Sequence, residues 1–86
     1  MVSEADEILQ FIRDELVEAS TDRIDFATPL FRTHVLDSLN LLSLITFLEE
    51  RFEIKVHATE IVFENFDTVN HLVAFLEDKR AARAQP

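Results

Sequence analysis

This 86-residue chain predicts an all-α fold, a small four-helix bundle of three longer helices and one short one. Three observations carry that expectation. Apolar residues recur at helical spacing in three separate stretches. Glycine, the usual source of the left-handed positions in hairpins and tight turns, is absent. Acceptor side chains stand just ahead of the apolar stretches, at Ser3, Asp37 and Asp67, where they can satisfy free amides of a first turn.

The first helix is expected from about Ser3 to Glu18. Ser3 suits the cap, and Glu4, Asp6 and Glu7 suit the positive end of the helix dipole. Ile8, Leu9, Phe11, Ile12, Leu16 and Val17 define its core face, and Ser20-Thr21-Asp22 reads as the stop. Residues 20–37 then make a long connection, about 18 residues, of a length that is uncommon unless functional or partly buried. Its apolar residues, among them Ile24, Phe26, Leu30, Phe31 and Leu36, predict that it is pinned across the bundle. Thr28-Pro29 marks a turn within it.

The second helix is expected from Ser38 to about Phe52, with Asp37 as its cap. At roughly 100° per residue, Leu41, Leu42, Leu44, Ile45, Leu48 and Phe52 gather on one side. Leu39, Ser43, Thr46, Phe47 and Glu50 form a second stripe facing outward, with two large apolar residues and no base. A short helix from Ala58 to Glu64 carries Ile61 and Val62, and Asn65-Phe66 reads as a break. Asp67 is expected to cap a last helix through about Lys79, with Val69, Leu72, Val73, Phe75 and Leu76 inward. Residues 81–86 read as a frayed tail or leftover helix, and residues 1–86 as one domain.

Composition narrows the function classes. There is no cysteine, hence no disulfide scaffold, thiol nucleophile or Cys-ligated zinc site. The net charge of −9 repels nucleic acid and anionic lipid and favours partners with basic patches. No uncharged run approaches membrane-spanning length, and an acidic amino terminus is unlike a secretory signal, so a cytoplasmic location without membrane insertion is expected. His34, His57 and His71 lack tight metal-ligand spacing, and no stretch has the ligand pattern of a calcium loop. Ser38, His34 and Asp37 do not make a hydrolytic triad: Asp37 adjoins the serine, and the glycine-flanked elbow is missing. The chain is therefore read as no enzyme.

What remains is Leu36-Asp37-Ser38-Leu39. A phosphodiester on Ser38 would sit at the amino end of a helix, where the dipole favours it. An isolated Asp-Ser pair is more commonly a plain helix cap. The wider pattern decides between them. Leu36-Asp37-Ser38-Leu39, then Leu42, Leu44-Ile45, Leu48-Glu49-Glu50-Arg51-Phe52 and Ile54, resembles the phosphopantetheine-attachment region of acyl carrier proteins, and the likeness in spacing reaches the first helix and Asp67-Thr68-Val69.

The resemblance implies that Ser38 receives 4′-phosphopantetheine from coenzyme A through a phosphopantetheinyl transferase. It further implies that the arm holds an acyl or aminoacyl thioester, charged by a loading enzyme and passed to a downstream transferase or synthase. Asp37, Leu39, Ser43, Thr46, Phe47 and Glu50 are the expected partner contacts on a monomeric carrier. The chain departs from the family at His34-Val35 and at Glu53, where glycines are common, and at Asn40 and Ser43, where fatty-acid-type carriers place acids. Docking is thus expected to be more apolar than in a fatty-acid carrier. Glu64-Asn65-Phe66 is similar to stand-alone carriers serving amino-acid-activating enzymes, including D-alanyl carriers. An aminoacyl or specialised-metabolite cargo is therefore favoured over a role in fatty-acid synthesis. An unmodified acidic helical adaptor with the same fold is the alternative of a different class.

Overall fold

A computed structural model describes residues 3–16, 24–33 and 35–84. Four α-helices, α1 (Glu4–Phe11), α2 (Ser38–Phe52), α3 (Phe63–Phe66) and α4 (Val69–Ala84), enclose one apolar core, and no strand occurs among the described residues. The all-helical bundle is as expected, with α3 as its short member.

α1 starts as predicted. The Ser3 hydroxyl accepts the Asp6 N–H at 3.1 Å, and the Asp6 carboxylate accepts the Ser3 N–H in return. The α-helix ends at Phe11, however, and residues Ile12–Leu16 form a wider π turn. Ile8, Ile12 and Leu16, four residues apart, would drift about 40° per step on a regular α-helix. The wider turn reduces that drift, and all three are buried. The expected end at Glu18 and the Ser20-Thr21-Asp22 stop lie outside the described residues, as does Val17.

The connection before α2 is pinned, as its composition predicts. Ile24, Leu30, Val35 and Leu36 are buried. Its backbone is tied to the start of α4: Leu30 N–H donates to the Asp67 carbonyl at 2.7 Å, and Asn70 N–H donates to the Phe26 carbonyl at 3.0 Å. Arg13 Nη2 donates to the Ile24 carbonyl at 2.6 Å. These bonds satisfy backbone groups that would otherwise be stranded beneath a long loop.

α2 has the predicted bounds and the predicted cap. Leu44, Ile45 and Leu48 are buried, while Leu41 and Phe52 pack at the edge of the core. Leu42 is a correction: it is 62% exposed. It lies about 110° from the middle of the buried arc, far enough round to reach solvent. The helix closes on Glu53, whose backbone is left-handed at φ 54° and ψ 47°. In a chain without glycine, a residue with a Cβ must take this position. Glu53→Gly is expected to raise stability by about 0.5–1 kcal/mol, read as a higher urea midpoint with unchanged slope.

The segment from Ala58 to Glu64 is not one helix. A 3-10 turn covers Ala58–Glu60, Ile61 and Val62 are non-helical and exposed, and α3 then begins at Phe63. Asn65 and Phe66, read as a break, lie inside α3, and Phe66 is fully buried. The predicted cap at Asp67 is also corrected. Asp67 has helical dihedrals, φ −66° and ψ −44°, whereas a cap needs extended backbone. Thr68 takes that role, its hydroxyl accepting the His71 N–H at 3.1 Å. α4 then runs past Lys79 to Ala84, so residues 81–84 continue the helix. Val69, Leu72, Phe75 and Leu76 are buried as predicted, and Val73 packs at the core's edge.

Glu60 holds the α2–α3 connection to α4. Its carboxylate accepts the His57 N–H at 2.8 Å and Lys79 Nζ at 2.9 and 3.0 Å. The His57 amide and, after it, the Lys79 ammonium hold this carboxyl below the usual carboxylate range. The Ala27 N–H, then the Thr28 hydroxyl, do the same for Asp25. A carboxyl lowered in the folded state contributes stability that is present above its unfolded value and lost as pH falls through the folded one. Thermal stability should thus decline on acidification through the carboxylate range. Glu60→Gln is expected to flatten that acid limb and to lose about 0.5–1 kcal/mol at neutral pH, measured as melting temperature against pH.

Candidate functional site

Ser38 is the first residue of α2, and the chain leading into it is fixed on both sides. Val35 and Leu36 are buried in the core. Leu36 N–H donates to the Leu30 carbonyl at 3.0 Å, and Asn40 Nδ2 donates to the Val35 carbonyl at 2.9 Å. Asp37 Oδ1 accepts the N–H groups of Leu39 and Asn40 at 3.0 and 2.9 Å. Asp37 therefore does the capping, which leaves the serine hydroxyl unused. Ser38 is exposed, and its hydroxyl has no hydrogen-bond partner among the described residues. Were the serine itself the cap, its oxygen would be turned back onto the helix amides. Both bonds fall on Oδ1 of Asp37, and His34 lies outside the described residues.

The outer stripe expected from the helical wheel is largely in place. Leu39 is 77% exposed, and Ser43, Thr46 and Glu50 are exposed behind it. The Thr46 hydroxyl donates to the Leu42 carbonyl at 3.0 Å and is thus turned along the helix. Phe47 departs from the stripe. Its ring stacks on Phe11 of α1 with centroids 4.2 Å apart and planes 12° from parallel, and meets Phe52 edge-on at 6.0 Å. It is half-buried and packs against the core.

Four exposed apolar residues escaped the outer-stripe reading. Leu42 extends the apolar surface of α2 beyond Leu39. Ile61, Val62 and Phe63 open the segment into α3, with the Phe63 ring 5.8 Å from Phe31. The available signal was a run of three bulky apolar residues, Ile61 to Phe63, too short for a helical face. The resulting surface suits binding through apolar contact, and a phosphate ester on Ser38 would meet the positive end of the α2 dipole.

No helix among the described residues is long and apolar enough to cross a membrane. A family profile described as a phosphopantetheine attachment site matches residues 6–76. The chain is similar to a D-alanyl carrier protein of Streptococcus sanguinis, 33% identical over 76 residues, covering 88% of this chain and 94% of the relative. It is also similar to the probable acyl carrier protein PigG of a Serratia species, 28% identical over 74 residues, covering 86% and 85%. Among solved structures, a chain from a crystal structure of an FAD-dependent dehydrogenase superposes with a TM-score of 0.75 at 32% identity. That match covers 80% of this chain and 97% of the other.

Proposed function

The chain belongs to the acyl-carrier family of phosphopantetheine-attachment domains, and from that premise we propose that Ser38 takes the 4′-phosphopantetheine arm and that the cargo is an aminoacyl or specialised-metabolite acyl group. When attached, the group supplies the thiol that holds such cargo as a thioester, chemistry for which this cysteine-free chain has no side chain. The domain itself carries the cargo and catalyses nothing.

The observation that supports Ser38 is its exposed, unpaired hydroxyl beside a cap that does not need it. The residues present fit the group. Val35, Leu36 and Asn40 hold the attachment point still, and the helix dipole stabilises the phosphate. A point-anchored flexible arm raises the effective concentration of cargo at a docked active site.

The partners are a phosphopantetheinyl transferase, an amino-acid-activating or acyl-activating loading enzyme, and a downstream transferase or synthase. They meet Asp37, Leu39, Ser43, Thr46, Phe47 and Glu50. The cargo class rests on the D-alanyl and PigG relatives and on an outer stripe that has one acid, Glu50, behind Ser38. The chain matched in the dehydrogenase crystal structure is about as short as this one. This supports a flavin-dependent dehydrogenase as one downstream partner.

The test is incubation of the full chain with coenzyme A and a broad-specificity transferase, followed by intact mass. One phosphopantetheinyl addition is expected. No addition with any transferase would instead leave an unmodified adaptor.

A further inference from the structure

We propose that the trough between α1 and α2 docks a basic amphipathic helix of a partner protein, on a face that shares the outer stripe of α2 but does not include Ser38. The proposal extends the outer stripe across to α1. It rests on that stripe being a contact face, and not on Ser38 carrying anything.

Two adjoining depressions, about 700 and about 470 Å³, share Phe11, Glu15 and Phe47 and so form one trough. The stacked rings of Phe11 and Phe47 make its floor, and exposed Leu42 stands at one end. Its rim is acidic: Asp6, Asp14 and Glu15 come from the first helix and its π turn, and Glu50 comes from α2. The one base in the lining, Arg51, is spent on Glu7 at 2.6 Å. Asp14 accepts only the neutral Gln10 amide, which leaves its charge intact. Glu15 and Glu50 are exposed and have no partner among the described residues.

An apolar floor between acidic walls is complementary to a helix with one apolar ridge flanked by Lys or Arg. The dimensions agree. From Asp6 to Glu15, and from Leu42 to Arg51, each wall runs nine residue steps, about 13 Å or two and a half helical turns. A second copy of the chain would bring a net charge of −9 against the same acids. Anionic lipid and nucleic acid are opposed by the same rim. Phe47 lies nine positions beyond Ser38, about half a turn round α2 and about 13 Å along it. A helix seated here grips the carrier without covering the attachment point.

The experiment is an NMR titration of the isotope-labelled full chain with a synthetic amphipathic Leu/Lys helix, against a scrambled peptide of equal composition. Shifts are expected at Phe11, Glu15, Leu42 and Phe47 and their neighbours, with weaker binding as salt rises. Glu15→Gln with Glu50→Gln should weaken binding about tenfold, and Leu42→Ser should weaken it as well. Ser38→Ala should bind as the parent does, which separates this surface from the attachment reading. Equal binding of the scrambled peptide, or shifts centred on Glu64 and Asp78, would overturn the proposal. So would peptide-free self-association through the trough, since a second copy would then be the occupant.

Discussion

Ser38→Ala is expected to abolish the phosphopantetheinyl mass gain completely while leaving the unfolding free energy within about 0.5 kcal/mol of the parent. The two effects separate because different side chains perform them. The serine hydroxyl bonds to nothing among the described residues, so removing it breaks no contact. Alanine is also the best helix former at the first position of α2. Asp37→Ala is the contrasting variant. It removes the acceptor for the Leu39 and Asn40 amides and should cost about 1 kcal/mol, with Ser38 still present. Intact mass and urea unfolding on the two proteins give a crossed result: one loses modification alone, the other loses stability. A mass gain surviving in Ser38→Ala would move the attachment point elsewhere. A large loss of stability in it would make the serine a structural cap after all.

The largest stability effect is expected from Phe66→Ala, about 3–5 kcal/mol. Phe66 is fully buried, and its ring lies 5.7 Å from that of Phe75 at an interplanar angle of 45°. It is also the last residue of α3, whose four residues are too few to hold helical structure without packing. An 86-residue domain has a total stability of about 4–13 kcal/mol, so the variant should stand near its unfolding threshold. Its melting temperature should drop by at least about 12 °C. α3 and the exposed Ile61-Val62-Phe63 run should loosen first, and hydrogen exchange of the Phe63–Phe66 amides reports that directly. A shift of only a few degrees would show that the core closes over the lost ring.

α2 was legible to the residue because two independent signals coincide there. Asp37 is a cap by its chemistry, and the apolar period begins immediately behind it. The pinned connection was legible for a similar reason, since Ile24, Leu30 and Leu36 have no stable place in solvent. The failures are positions where neighbouring residues offer the same chemistry and geometry chooses between them. Asp67 and Thr68 can both cap, and only the helical dihedrals of Asp67 exclude it. Leu42 sits at the rim of the buried arc, where a small rotation of the whole helix decides its side. α3 is shorter than any periodic pattern can reveal. Of the candidate site, the positions of Ser38 at the helix start and Leu39 on the outer face depend on local sequence and were readable. The Phe11–Phe47 stack depends on how two helices cross, which no local pattern specifies.

Four of the basic side chains are engaged within the fold. Arg51 is matched with Glu7, Lys79 with Glu60 and Arg80 with Glu4, while Arg13 is held by a backbone carbonyl. Half of the eight bases are thereby committed to internal bracing. Among the described residues Arg32 and Lys55 stand exposed, yet with a net charge of −9 the surface as a whole is predominantly anionic. Two such carriers drifting together in a crowded cell would push each other apart before their reactive ends could meet, so a shipment borne by one would be shielded from misdelivery onto another.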